Sequence, residues 1–152
     1  SSLDPDTAAP IETQTGALPS GYSRILEGIR ILIVDDEADA RDLVSAILTR
    51  CGSEVKCCTS AAEALEAFRD WKPDLLVSDI GMPNEDGYSL IKKVRKLRSK
   101  RAKQIPAVAL TAYATKEDKA RTLSAGFQMH VAKPIEPESL VMSIAAALGR
   151  KT

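Results

Sequence analysis

Four short stretches of this 152-residue chain carry reactive side chains at a matching place, just after an apolar run. Asp35, Asp36 and Glu37 follow Ile31–Val34, and Asp79 follows Leu75–Val77 with one serine between. Thr111 follows Ile105–Leu110, and Lys133 follows Met129–Ala132. Brought side by side, these runs would gather carboxylates, a hydroxyl and an ammonium on one rim. Clustered carboxylates raise one another's pKa unless a cation joins them. A hard divalent ion with oxygen ligands, Mg²⁺ or Mn²⁺, is the fitting partner. One chemistry suits such a set. A carboxylate attacks phosphorus to give an acyl phosphate, while metal and lysine neutralise charge on the transferring group. A threonine hydroxyl can then hydrogen-bond a phosphoryl oxygen.

The elements that must position these groups are legible in the same text. Ile31–Val34 is continuously apolar and β-branched, as in a strand buried on both faces. Asp39 to Cys51 places Leu43, Val44, Ile47 and Leu48 at helical spacing, with Gly52 as the stop. A second strand spans Glu54 to Cys58, and Ser60 with Glu63 forms a capping box for a helix reaching Trp71. Leu75–Val77 is a third strand, followed by a helix from about Asp86 to Arg98. Ile105–Leu110 is the fourth, followed by a helix capped by Thr115 and ended by Gly126. Met129–Ala132 is the fifth, and Pro137 opens a last helix to Leu148. Five strands alternating with five helices predict an α/β, doubly wound fold: a parallel sheet covered on both faces. Ligands in such sheets bind beyond the carboxyl ends of the strands. Every reactive group above stands at such an end.

Composition narrows the classes. At 44% hydrophobic and 28% charged residues the chain can build a core, so disorder throughout is excluded. Its length suits one domain. Twenty-one basic residues balance 21 acidic ones, which argues against a general nucleic-acid or membrane polycation. No apolar run approaches the roughly 18 residues of a membrane span, and no signal peptide opens the chain. Three cysteines, two of them adjacent, make no disulfide framework or zinc spacing, so Cys51, Cys57 and Cys58 are expected to be core fillers in a reducing, cytoplasmic setting. Residues 1–28 are dotted with proline, glycine, serine and threonine and carry a net −3, which predicts a flexible linker or tail before a domain at residues 29–149. Lys92 to Lys103 holds eight basic residues in twelve. Without interleaved aromatic residues it is expected to be a solvated face rather than a nucleic-acid contact. His130 and Trp71 are expected to be structural.

The segments ILIVDDE (Ile31 to Glu37), PDLLVSDIGMPNEDGY (Pro73 to Tyr88), IPAVALTAYA (Ile105 to Ala114) and the Lys133-Pro134 step closely resemble the receiver domain of two-component response regulators. The resemblance runs from residue 29 to about 149. It implies a flavodoxin-like (βα)5 fold with strand order 2-1-3-4-5. It implies that Asp79 is the phosphoacceptor, taking a phosphoryl group from a partner phosphohistidine with Mg²⁺. Asp35, Asp36, Asp79 and the main-chain carbonyl of Gly81 would be the metal ligands, with Asp36 the more direct of the acidic pair. Thr111 would be the switch hydroxyl, Tyr113 the aromatic that moves with it, and Lys133 the phosphate-pairing lysine before a cis proline bond. The partner implied is a sensor histidine kinase or a histidine phosphotransfer domain, docking on the first helix near Leu43, Val44 and Ile47. The face from about Lys116 to Leu148 would change on phosphorylation and support a phosphorylation-dependent homodimer.

The chain is thus expected to be a phosphoacceptor that assists its own phosphorylation and dephosphorylation rather than an enzyme. Neither a kinase module nor an output domain is expected, since four residues follow Leu148. The proline-dotted start tilts the setting towards the C-terminal receiver of a hybrid sensor histidine kinase, over a stand-alone regulator. Gly81 departs from relatives that carry a side chain there, and Tyr113 is bulky, so the resemblance implies no phosphoryl lifetime. Three rivals stand beside this. A haloacid-type phosphohydrolase would want an aspartate where Gly81 stands. A flavin carrier would want a phosphate loop where Asp35-Asp36-Glu37 would repel it. A docking module that is not phosphorylated would not need the full set of site residues.

Overall fold

The computed structural model describes residues 24–112 and 115–149. Its centre is one five-stranded parallel sheet in the order β2-β1-β3-β4-β5. The strands are β1 (Arg30–Val34), β2 (Glu54–Cys58), β3 (Leu75–Asp79), β4 (Ala107–Thr111) and β5 (Met129–Ala132). Among the described residues the helices are α1 (Ala38–Arg50), α2 (Ala61–Asp70), α3 (Gly87–Arg95), α4 (Lys100–Gln104), α5 (Lys116–Ala125) and α6 (Pro137–Ala147).

The continuous apolar strands occupy the middle of the sheet because both of their faces are covered. Alternate residues then serve different cores. Ile31 and Ile33 pack with Val44 and Leu48 of α1 and with Leu140 and Ile144 of α6. Leu32 and Val34 pack with Ala64 and Phe68 of α2 and with Leu90 and Ile91 of α3. All five positions of β3 and of β4 are buried, whereas β2, an edge strand, is mostly open. That openness corrects one expectation: Cys51 and Cys58 fill the core, but Cys57 points out to solvent. As an edge strand, β2 is flanked on one side only and is less covered than the central strands, and Cys58 is its one buried position.

The structure departs from the expected elements in two further places. The helix expected from Asp86 to Arg98 stops at Arg95, and a separate five-residue helix, α4, begins after Ser99. The Ser99 hydroxyl accepts a bond from the Ala102 N–H, offering the backbone a fresh start. Arg95 fastens the break, its guanidinium donating to the carbonyls of Ala102, Lys103 and Gly126. At the other boundary, Leu26 lies on the tail side of residue 28 and yet is wholly buried against the α1 core. Its N–H donates to the Cys51 carbonyl at 3.0 Å, and Gly28 N–H donates to the Gly52 carbonyl at 3.2 Å. Gly52 has φ +93°, and a Cβ there would stand 2.9 Å from the Glu27 Cα, so this close approach needs glycine.

Parallel pairing aligns the strand ends. Val34 pairs with Ser78, Asp79 with Leu110, and Thr111 with Ala132. The order reverses between β1 and β3, which opens a crevice at their carboxyl ends. Asp35 and Asp79 stand at that crevice.

Candidate functional site

Asp79 is the last residue of β3; it pairs with Leu110 of β4, and the preceding Ser78 pairs with Val34 of β1. The residue is buried, about 5% exposed. Burial, and then the charge of Asp35, push its pKa above the ordinary carboxylate value, while Lys133 and an N–H of Gly81 pull the other way. Asp35 is fully buried, and one of its oxygens accepts the Glu37 N–H at 2.9 Å. The turn is clamped from behind, because Arg41 on α1 donates to the Asp35 carbonyl at 2.8 Å. Asp36 is exposed. One carboxylate oxygen from each of Asp35, Asp36 and Asp79 lies within 4.8 Å of the others. Three all-oxygen ligands so close together suit a small hard cation such as Mg²⁺ and do not suit each other without one.

Lys133 reaches this cluster from the end of β5. Its ammonium stands 3.3 Å from an oxygen of each of Asp35, Glu37 and Asp79. Burial would lower its pKa, but Asp79 and Asp35 outweigh that and raise it, so the ammonium stays charged. The Lys133–Pro134 peptide bond is cis. Thr111 closes β4 beside it, buried, with a hydroxyl that has no hydrogen-bond partner among the described residues. A buried donor left open is uncommon and marks a place where an acceptor fits.

The loop after Asp79 is set by a close approach that the motif contained but residue types alone did not explain. Gly87 at the start of α3 donates to the Ile80 carbonyl at 2.9 Å. A Cβ on Gly87 would collide with the Asp79 carbonyl oxygen and stand 2.9 Å from the Ile80 Cα. Asp86 caps the helix by accepting the Ser89 N–H. At Gly81, by contrast, a Cβ would meet open space.

The structure therefore brings Asp35, Asp36, Asp79, Thr111 and Lys133 to one crevice. Tyr113 lies outside the described residues. Glu37 joins the site as the third carboxylate on Lys133, a role that its place in an acidic triplet did not single out. Of the three docking residues expected on the first helix, Val44 and Ile47 are buried in the core, and Leu43 is the exposed one. A helix buries the stripe facing its sheet, and those two positions lie on it.

Comparison with known proteins gives this geometry its relatives. The response regulator receiver domain family matches residues 31–145. The chain belongs to that family. An uncharacterised 14.6 kDa protein of Leptolyngbya boryana is 43% identical over 111 residues, covering 73% of this chain and 83% of that one. Hybrid signal transduction histidine kinase D of Dictyostelium discoideum is 35% identical over 127 residues, which span 79% of this receiver but only 8% of the kinase. Several other curated relatives are also longer proteins, of which this chain spans half or less. Among solved structures, the receiver domain of a Pseudomonas aeruginosa sensor histidine kinase, with magnesium coordinated in its active-site cleft, superposes with a TM-score of 0.71 at 27% identity, covering 80% of this receiver and 98% of that chain. Among the described residues, no helix of this receiver is long and apolar enough to cross a membrane.

Proposed function

We propose that this receiver accepts a phosphoryl group on Asp79 from the phosphohistidine of a partner kinase or phosphotransfer domain, and switches conformation through Thr111. The observation that carries this reading is the convergence of three carboxylates and one ammonium on a crevice beside an unpartnered hydroxyl. A carboxylate oxygen of Asp79 forms the new P–O bond as the P–N bond of the donor breaks, and the imidazole leaves with its electron pair. Lys133 holds positive charge against the incoming phosphoryl oxygens and favours the ionised form of Asp79 against burial and the charge of Asp35. Asp35, Asp36, Asp79 and the Gly81 carbonyl would hold Mg²⁺, which when bound supplies charge neutralisation to the transferring group. Thr111 donates its free hydroxyl to a phosphoryl oxygen, a bond available only after transfer. That difference is what biases the fold between two states.

The magnesium-bound neighbour supports the metal assignment. Support for the setting is divided between a hybrid kinase relative and a small 14.6 kDa relative. Measuring the mass of the native protein in cell extract with an antibody to this domain checks that point.

The decisive test is intact mass after incubation with acetyl phosphate and Mg²⁺. A gain of one phosphoryl group that requires the metal and is wholly lost in Asp79→Asn is the expected result. An adduct that survives in Asp79→Asn would overturn the assignment. Beryllofluoride, which mimics the phosphoryl group without being hydrolysed, separates rapid turnover from a domain that only docks. The first still perturbs the Thr111 amide under beryllofluoride, and the second does not.

A further inference from the structure

A second site lies at the opposite end of the sheet, where the basic run from Lys92 to Lys103 has been sorted by folding. Lys93 is paired to Glu85 at 2.6 Å, Arg95 is spent on three carbonyls, and Arg101 is held to Asp74 at 2.7 Å. Arg98 is instead left at the mouth of a cleft of about 730 Å³, between the end of α2 and the α3–α4 break. Phe68, Leu97 and Ala102 give this cleft an apolar lining, and Arg69, Lys72, Arg98 and Arg101 surround it. Phe68 and Ala102 are core residues seen from outside, and Leu97 packs against the same core. The chain leaves α2 with Lys72 in a left-handed turn at φ +54°, and both Arg69 and Lys72 line the cleft.

We propose that this cleft binds a small organic anion: an apolar body, aromatic or acyl, bearing a carboxylate, sulfonate or phosphate group. Three observations select that class. The volume lies within the roughly 300–1,000 Å³ of small-ligand pockets. The lining is chiefly hydrocarbon, which rewards an apolar body and offers nothing to a bare hydrated ion. Of the four cations that line it, Arg101 is already matched by Asp74, which leaves Arg69, Lys72 and Arg98 to match an acidic head in sign. Nucleic acid fits less well, because the lining's one aromatic ring, Phe68, is buried and presents no face for stacking bases. The cleft is a strand length away from Asp79, since Arg101 binds the Asp74 that precedes β3, whereas Asp79 ends it. Occupancy there is thus chemically independent of phosphoryl transfer.

The probe is anilinonaphthalene sulfonate on the full chain, with fluorescence for affinity and amide chemical shifts for position. Saturable binding is expected, with shifts at Arg69, Leu97, Arg98 and Ala102. Phenylnaphthylamine, the same aromatic body without the sulfonate, should bind about tenfold more weakly, the effect of losing one charge-assisted contact. Lys72→Glu/Arg98→Glu should weaken the sulfonate by at least about tenfold, yet still gain the phosphoryl mass, which shows that the variant is folded. The proposal is overturned by sulfonate affinity unchanged in that variant, by shifts that map elsewhere, or by equal binding of the neutral analogue. Displacement of the probe by equimolar inorganic phosphate would overturn it too, because charge alone would then suffice.

Discussion

The two ends of the sheet hold similar side chains to opposite purposes. At the amino end, Asp74 accepts the Arg30 N–H at 2.9 Å and pairs with Arg101 at 2.7 Å, so the carboxylate is matched and open to solvent. Arg30 in turn donates to the Trp71 carbonyl and lies over the Trp71 ring. At the carboxyl end, Asp35 and Asp79 are buried with Asp36 beside them, and a single lysine serves Asp35, Asp79 and Glu37. The amino end is a satisfied joint. The carboxyl end is short of positive charge, and among the described residues its Thr111 hydroxyl has no partner. Stability asks for the first arrangement, and binding a cation and a phosphoryl group asks for the second.

The widest gap between the ends should appear when the shortage is filled. Mg²⁺ at a hundred times its dissociation constant should stabilise the protein by about 2.7 kcal/mol. Chemical denaturation with Mg²⁺ and with chelator reads this directly, and the gain should vanish in Asp36→Ala/Asp79→Asn. Equal stabilisation of that variant would break the comparison. Next in size is Lys133→Met, which strips buried Asp35 and Asp79 of their cation. Allowing for the partial exposure of the lysine, a loss of about 2 kcal/mol is expected without metal.

Smaller is the pH effect, and its sign is opposite to that of a salt-bridged carboxylate. The folded pKa of Asp79 is raised, so the folded protein binds that proton more tightly than the unfolded chain does. The group's stabilising contribution is complete below the unfolded pKa and is lost as pH rises through the folded one. In chelator, Asp79→Asn should therefore match the wild type at acid pH, below the unfolded carboxylate pKa, and exceed it at neutrality. Urea titrations across that window that stay parallel would remove the claim of a strained carboxylate. The smallest effect belongs to the amino end. Arg101→Ala should cost only about 0.5 kcal/mol, as exposed pairs do. A cost equal to that of Lys133→Met would mean that the two ends do not differ as described.

Much of the carboxyl end was legible before folding. Apolar β-branched runs mark buried strands, and the residues just past them, Asp35, Asp79, Thr111 and Lys133, could be collected on the rule that parallel strands end together. The helix caps at Ser60 and Thr115 follow from local chemistry and stand in the structure as bonds to the Glu63 and Asp118 N–H groups. The misreadings share a cause. The periodicity of Gly87 to Arg98 is helical throughout, and nothing within it shows that Ser99 and the reach of Arg95 to Gly126 end the helix early. Leu26 lies between Ile25 and Glu27, just ahead of the first strand, and the Cys51 carbonyl that its N–H meets is 25 positions along the chain.

The sequence by itself determined the alternation of elements and the identity of the reactive groups, because hydrophobic period, caps and strand-end residues are local properties. Tertiary structure alone decided which charges are shared and which are satisfied. Lys133 meets Asp35 across 98 positions, and Arg101 meets Asp74 across 27. Gly87 is needed because the Asp79 carbonyl lies where its Cβ would be. Electrostatic shortage and steric closeness depend on distances between segments, and those exist only once the sheet has placed its strands side by side.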